Sequence, residues 1–210
     1  MSYQPTDEEL QVRPDLASVL AQEMAVPRRQ VAATLSLLEE GATVPFIARY
    51  RKEATGGLDE TAIRGIEERG AFHRELAERK STILAGIHEQ GKLTAELAAA
   101  VRAAATRSAL EDLYLPYRPK RRTRATMAKE KGLEPLADRI WAQEDAGEDP
   151  LAVAAAFVDL EKEVPDVETA LQGARDILAE RIAETAPWRA ELRAFTWERG
   201  TLSCRAARGK

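Results

Sequence analysis

The densest cluster of side chains that could do chemistry lies between residues 117 and 131, in the stretch YRPKRRTRATMAKEK. It holds seven basic residues and one acidic residue. Lysine and arginine bind nucleic-acid phosphates because their contacts release condensed counterions, and the guanidinium group can also fork onto phosphate oxygens. An exposed tyrosine beside such a cluster can stack on a base. The segment therefore predicts a nucleic-acid contact, and the candidate residues are Tyr117, Arg118, Lys120, Arg121, Arg122 and Arg124.

The residue types alone leave two other interpretations of this basic segment open. Its cations can pair with acidic residues nearby in the sequence, which would give the segment a structural role, and the candidate partners are Glu111, Asp112, Glu130 and Glu134. They can also bind an acidic protein partner. Nucleic acid is the leading interpretation because a window of this length would hold only about two basic residues at the average composition of the chain.

A second cationic patch consists of Arg49, Arg51 and Lys52. Acidic residues follow it closely, namely Glu53, Asp59 and Glu60. Oppositely charged side chains three or four positions apart on a helix pair with each other. Local pairing therefore explains this patch at least as well as a binding role does.

The overall composition makes any nucleic-acid contact a local one. The 210 residues include 31 basic and 35 acidic side chains, for a formal net charge of -4. One cysteine, Cys204, excludes an internal disulfide and favours a reducing compartment. The N-terminus does not resemble a signal peptide, and no run approaches the roughly 18 apolar residues of a membrane span. We expect a soluble cytoplasmic protein without a membrane partner.

The sequence shows little that would support catalysis. Its two histidines, His73 and His88, are 15 positions apart on a predicted helix, too far for the i, i+4 spacing of a helical zinc site. Cys204 has no visible partner, and neither a phosphate-binding P-loop nor a dinucleotide-binding glycine pattern is present. We expect no enzyme activity, no metal site and no cofactor.

Hydrophobic periodicity and abundant alanine predict an all-α protein. In the first half, helices are expected after Asp15, from Pro27 to Glu40, and from Thr43 to Tyr50. A long helix should follow from Asp59 to Gln90, with a bend near Gly65 and Gly70. We interpret it as a projecting helix, or as a helical hairpin whose return arm is residues 96–105.

In the second half, the pattern S-x-x-E at Ser108 predicts the start of a helix by a capping box. Thr123 should cap a short helix that ends at Gly132, and Pro135 should open the next one. Further helices are expected after Pro150 and Asp166. Residues 195–210 show no strong helical stripe and are interpreted as a strand, a tail or the start of another element. The predicted organisation is a helical domain 1–144, a linker 145–150 and a second helical segment 151–210.

Three blocks together resemble the N-terminal helical region of the Tex family of bacterial transcription accessory proteins. They are GATVPFIARYRKEATGGLDE (41–60), LEDLYLPYRPKRRTRATMAKEKGLEPLA (110–137) and ALQGARDILAERIAE (170–184). The resemblance implies a cytoplasmic, non-enzymatic factor that binds RNA and DNA and is linked to transcription. Family members continue into a YqgF-type domain, helix-hairpin-helix modules and an OB-fold to which the family's nucleic-acid affinity is largely attributed. The chain is thus expected to be a fragment that stops before the YqgF-type domain.

Two function hypotheses follow. The first is a non-catalytic helical module that binds RNA or DNA, largely without sequence specificity, through the basic segment. The alternative is a protein-interaction scaffold that docks to transcription machinery or to the further domains of the family, with the nucleic-acid affinity residing elsewhere. In the block Pro45–Tyr50, which the resemblance also covers, the apolar residues are expected to pack rather than to bind.

Overall fold

The computed structural model describes residues 3–119, 122–143 and 149–205. These residues form thirteen α-helices, one short 3₁₀ helix and no β-strand; an isolated bridge pairs Asp159 with Val164. The all-α prediction is confirmed. The chain divides into two compact units, unit 1 with residues 1–110 and unit 2 with residues 111–210.

Unit 1 contains seven complete helices and the first turn of an eighth. They are α1 (Asp7–Leu10), α2 (Leu16–Met24), α3 (Arg28–Glu39), α4 (Val44–Tyr50), α5 (Lys52–Thr55), α6 (Glu60–Glu89), α7 (Ala95–Ala103) and α8 (Arg107–Tyr114). The predicted ends of the long helix are confirmed. Asp59 caps α6 by accepting a hydrogen bond from the Ala62 backbone N–H at 2.7 Å, and Gly91 adopts a positive φ of 67° just beyond its end.

Helix α6 is the element around which unit 1 packs. Its 30 residues span about 45 Å at 1.5 Å per residue. Near its start, Ile63 and Ile66 are fully buried among side chains of α2, α3 and α4. Near its end, α7 packs against it, and Lys80 Nζ donates a hydrogen bond to the Arg102 carbonyl at 2.8 Å. Of the two predicted forms, the structure therefore has the helical hairpin, with α7 as the return arm.

Gly65 and Gly70, near which a bend was expected, both lie within α6 and face side chains of neighbouring helices. The helix continues through both positions without a break. A Cβ at Gly65 would lie 2.9 Å from the Met24 Cε atom, and one at Gly70 would lie 3.4 Å from a Leu35 methyl carbon. At Gly65 only the flexible end of the Met24 side chain would have to move, and at Gly70 the contact would be an ordinary van der Waals one.

Unit 2 is assembled on α12. After α8 come the 3₁₀ turn Leu115–Tyr117, α9 (Arg124–Glu130), α10 (Glu134–Ala142), α11 (Pro150–Ala155), α12 (Val167–Glu184) and α13 (Ala186–Arg199). Helices α9, α10 and α11 pack on α12 around a core that includes Leu133, Leu136 and Ile177. The predicted caps Thr123 and Asp166 are both present.

Two local predictions were wrong. Helix α8 begins at Arg107, and Thr106 Oγ1 accepts the Ala109 backbone N–H at 3.2 Å, so Ser108 lies inside the helix instead of capping it. Residues 195–199, for which no helix was expected, belong to α13. None of the residues of α13 is buried.

The predicted domain boundaries stay a prediction. Of the predicted linker 145–150, residues 145–148 lie outside the described residues. Asp149 and Pro150 are described: the Asp149 carboxylate accepts the Leu151 backbone N–H at 3.0 Å and so caps α11.

Candidate nucleic-acid interface

The basic segment, residues 117–131, begins at the end of the 3₁₀ turn and includes α9. Hydrogen bonds anchor its backbone at Arg118 and at Thr123. On its first side, the 3₁₀ turn ends with the Arg118 backbone N–H donating to the Tyr114 carbonyl at 3.1 Å. On its second side, Thr123 Oγ1 accepts the Thr126 backbone N–H and donates to Glu180 Oε1, each at 3.0 Å. The second anchor joins the segment to α12. The cations adjoining the anchors are therefore attached to a fixed backbone.

The predicted contact residues fall into four groups, and the structure describes three of them. Arg118 and Arg124 are exposed and make no ion pair with any residue that the structure describes. Arg122 is also exposed, but its Nε and Nη2 atoms bind Glu130 Oε2 at 3.2 and 2.6 Å. Tyr117 is half-buried in the 3₁₀ turn. Lys120 and Arg121 lie outside the described residues.

The internal-pairing interpretation holds for some cations of the segment. Besides Arg122, Lys129 pairs with Glu134 at 3.2 Å, and Lys131 pairs with Glu163 at 3.3 Å. Solvent-exposed pairs of this kind stabilise a protein by about 0 to 1 kcal/mol. They are weak enough for a phosphate to displace the carboxylate at modest cost.

A depression beside the segment carries charges of both signs. Arg122, Arg124 and Lys131 line it together with acidic residues that include Glu168 and Asp176. The carboxylates would repel a polyanion that entered the depression. Contact with phosphates is therefore more favourable along the exposed segment than inside the depression.

Among the ion pairs of the described residues, the one with the most buried carboxylate was not predicted from the sequence. Asp112 of α8, with a side chain only 6% exposed, accepts a hydrogen bond from Arg189 Nε at 2.7 Å and is also bound by the guanidinium group of Arg193. Burial acts to raise the pKa of Asp112, but hydrogen bonds and charge interactions with the two arginines outweigh it and lower that pKa. The same contact raises the pKa of Arg193.

This contact changes the assignment of one predicted partner. The sequence makes Asp112 a candidate partner of the basic segment, whereas the structure pairs it with Arg189 and Arg193 of α13. The available sequence signal was the spacing of Arg189 and Arg193, which places two guanidinium groups on one face of a helix.

The other candidate reactive residues do not assemble into a site. His73 Nε2 lies 2.9 Å from Glu23 Oε1, and Cys204 is exposed. Among the residues that the structure describes, no three histidine, cysteine or acidic side chains come close enough together to hold a metal ion. No helix within the described ranges is long and apolar enough to cross a membrane.

The fold and the exposed cations define a class of protein: an all-helical module of two compact units with a basic connection between helices. Residues 14–88 match the family model described as Tex-like protein N-terminal domain, and residues 145–210 match the one described as Tex central region-like. The chain belongs to the Tex family.

Similar proteins extend this result. The chain is 53% identical over 191 residues to "Protein tex" of Bordetella pertussis, an alignment that covers 91% of this chain and 24% of that protein. It is 47% identical over 196 residues to "Transcriptional accessory protein Tex" of Neisseria gonorrhoeae, covering 93% of this chain and 25% of that protein. It is 28% identical over 178 residues to "S1 RNA-binding domain-containing protein 1" of Pongo abelii, covering 84% and 18% respectively. The chain thus spans about a quarter of the length of the two bacterial relatives.

Proposed function

We propose that the chain is a non-catalytic helical module of a cytoplasmic transcription accessory protein, and that it binds RNA and DNA largely without sequence specificity through the basic segment. The observation that carries this proposal is the exposure of Arg118 and Arg124, which have no ion pair within the described part of the chain. The names of the relatives, one a transcriptional accessory protein and one an RNA-binding protein, support the same class of role.

The anchoring of the segment supports binding for an entropic reason. Ordering a flexible loop on a ligand costs conformational free energy for every residue that becomes fixed. Here Thr123 is already tied to α9 and to Glu180 of α12. A phosphate that contacts Arg124 therefore meets a guanidinium group whose backbone is already ordered, and the same holds for Arg118 at the end of the 3₁₀ turn.

The test is binding of labelled single-stranded RNA and duplex DNA by the 210-residue chain, measured by fluorescence anisotropy across a salt series. The double variant Arg118→Ala/Arg124→Ala should weaken binding to both. It should also reduce the slope of log affinity against log salt by about 0.9 per lost phosphate contact on duplex DNA and about 0.7 on single strands. Its melting temperature should match that of the wild type, because neither side chain is buried.

A matched control removes the same amount of charge elsewhere. Arg28 and Arg175 are exposed and are already paired, with Asp15 and Glu168 respectively. The double variant Arg28→Ala/Arg175→Ala should leave the salt slope unchanged. If both double variants lose the same affinity, net charge rather than the basic segment governs binding. If neither variant affects binding, the proposal is wrong.

One observation favours a second candidate, the protein-interaction scaffold. Helix α13 buries no residue, and Leu192 and Phe195, which lie three positions apart on one face, are 64% and 55% exposed. Exposed apolar patches of this kind are typical of protein contact surfaces. Because the bacterial relatives are about four times as long as the matched region, we take the occupant to be another folded part of a Tex-type polypeptide.

The experiment that tests the scaffold is chemical-shift mapping of the chain against the remaining domains of a longer relative, added in trans. Shifts confined to α13 that are abolished by Leu192→Ser/Phe195→Ser support the scaffold. The absence of any shift would contradict it.

A further inference from the structure

We propose that α4 and the start of α5 form a second binding site, in unit 1, at which Phe46 and Tyr50 stack on unpaired bases while Arg49, Arg51 and Lys52 contact the adjoining phosphates. The ligand class is single-stranded nucleic acid. The site does not depend on the basic segment, so either proposal can fail without the other.

The sequence of α4 separates a buried face from an exposed one. Val44 and Ile47 are buried and pack in a cluster with Ile63 of α6. Phe46 and Tyr50, four positions apart, share the other face. They are 40% and 59% exposed, so the expectation that the apolar residues of the block Pro45–Tyr50 pack holds for Ile47 and the partly buried Ala48 but not for Phe46 and Tyr50.

The two aromatic rings form a pair on the surface. Their centroids are 5.4 Å apart, and the ring planes are inclined by 47°. The guanidinium carbon of Arg51 lies 5.7 Å from the centroid of the Phe46 ring, and that of Arg49 lies 6.0 Å from the centroid of the Tyr50 ring. Cation–π attraction acts within about 6 Å of the ring centroid, so both distances fall at or just inside that limit. Each ring thus has a cation next to it.

The cations of this surface are available to a ligand. Arg49, Arg51 and Lys52 are exposed, and none forms an ion pair with a residue that the structure describes. Glu53 follows Lys52 directly, but the pairing expected from the sequence is not present among the described contacts. The patch therefore carries three cations next to two exposed rings, and Glu53 directly follows the cations.

This combination fits unpaired bases better than a duplex. Proteins that bind single strands without sequence preference join a cationic surface to aromatic side chains on which bases stack, and each stacked base contributes about 1 to 3 kcal/mol. In a duplex the base faces are already stacked on one another, so the rings could add little. An acidic protein segment would use the cations but would leave the aromatic pair without a role.

The fixed backbone of α4 makes the surface ready for binding. Ile47 is fully buried, and its carbonyl accepts the Arg51 backbone N–H at 3.0 Å, which holds the junction between α4 and α5. Phe46 and Tyr50 lie on the same helix as this buried anchor. Binding therefore requires rotamer adjustments of exposed side chains rather than ordering of the backbone.

The experiment compares ten-nucleotide oligouridine and oligothymidine with a short duplex DNA, by fluorescence anisotropy on the whole chain. The double variant Phe46→Ala/Tyr50→Ala should bind both single strands at least about fivefold more weakly, which corresponds to the loss of one stacked base. Its salt slope should be unchanged, because no cation is removed. Duplex affinity should also be unchanged. Oligodeoxyuridine, which differs from oligouridine only in lacking the ribose 2′-hydroxyl, shows whether that hydroxyl contributes.

Two controls isolate the stacking contribution. Phe72 has a similar exposure of 43% but borders the acidic residues Glu75 and Glu78, and Phe72→Ala should leave single-strand binding unchanged. The triple variant Arg49→Gln/Arg51→Gln/Lys52→Gln keeps both rings and should lower the salt slope instead. Circular dichroism verifies that each variant remains helical.

Three outcomes would overturn the proposal. The first is an unchanged single-strand affinity of Phe46→Ala/Tyr50→Ala. The second is an equal loss of affinity for single strands and duplex. The third is competition by oligoglutamate as effective as competition by oligouridine, which would identify an acidic protein ligand. Failure of this site leaves the salt slope assigned to Arg118 and Arg124 intact, so it is distinguishable from failure of the basic segment.

Discussion

Replacing the nearly buried Asp112 with asparagine should destabilise unit 2 more than replacing an exposed, paired carboxylate such as Asp138. The substitution keeps the size of the side chain and removes its negative charge. Arg189 and Arg193 would then lie against a nearly buried, neutral amide. The amide also offers one acceptor oxygen where the carboxylate offers two.

The magnitude follows from the exposure of the partners. Removing one member of a fully buried ion pair costs about 3 to 5 kcal/mol. The Asp112 side chain is 6% exposed, but those of Arg189 and Arg193 are 39% and 45% exposed, so water can partly solvate the unpaired guanidinium groups. We therefore expect a loss of about 2 kcal/mol in the free energy of unfolding, or roughly 10 °C in the melting temperature of a unit of this size.

Tryptophan fluorescence is a suitable assay because it reports on unit 2 alone. All three tryptophans, Trp141, Trp188 and Trp197, lie in this unit, and the rings of Trp141 and Trp188 are 5.7 Å apart. Urea unfolding followed by this signal avoids the assumption that both units unfold together.

The matched control is Asp138→Asn. Asp138 also pairs with an arginine of a C-terminal helix, Arg181 of α12, at 2.5 Å, but its side chain is 57% exposed. Its substitution should cost less than about 1 kcal/mol. Equal effects of the two substitutions would refute the argument that burial of Asp112 makes its contact the stronger one.

The pH dependence gives an independent test of the same contact. The pKa of Asp112 is lower in the folded chain than its ordinary value of 3.8, so the unfolded chain takes up this proton first as the pH falls. The stabilisation is complete well above pH 3.8 and is lost as the pH falls through the folded pKa. The difference in stability between wild type and Asp112→Asn should therefore shrink below about pH 4. A difference that stays constant down to pH 3 would contradict this assignment.

Three further substitutions test packing and charge. A Cβ at Gly173 would lie 2.3 Å from a Leu133 methyl carbon, so Gly173→Ala should destabilise unit 2 by about 1 to 3 kcal/mol in urea unfolding. A Cβ at Gly86 would have no atom within 4 Å, so Gly86→Ala should stabilise unit 1 by up to about 1 kcal/mol. Arg122→Ala should reduce the salt slope of RNA binding less than Arg118→Ala does, because the carboxylate partner of Arg122 on α9 already neutralises its charge; equal reductions would show that this ion pair does not compete with phosphate.

The helical fold could be read from the sequence because its signals are local. Caps such as Asp59 and Asp166 and the glycine at position 91 act on backbone groups within a few residues, and all three are confirmed. The start of α8 was misplaced for an equally local reason. Thr106 and Ser108 carry the same capping chemistry two positions apart, and the sequence gives no means of choosing between them.

The end of α13 was not predicted, although Trp188, Leu192 and Phe195 have the i, i+4, i+7 spacing of residues on one face of a helix. This helix buries none of its residues and is joined to α8 through Asp112. Such a contact links positions 77 and 81 residues apart, a separation at which the sequence carries no spacing signal. The contact of Asp112 with Arg189 and Arg193 therefore helps to hold α13 in a way that hydrophobic periodicity does not detect.

Charge patterns in the sequence likewise predict the candidate binding surfaces only in part. Counting cations ranked the basic segment first and the patch at Arg49, Arg51 and Lys52 second, yet the number of cations does not measure how many phosphates a surface can bind. A cation that already holds a carboxylate gains less from a phosphate, because the carboxylate must first be released. Arg122 is such a cation, whereas Arg49 and Arg51 have no ion pair within the described residues and stand beside exposed rings. Arg118 and Arg124 of the basic segment meet the same criterion, so what distinguishes the patch that the sequence ranked lower is the pair of exposed rings beside its cations.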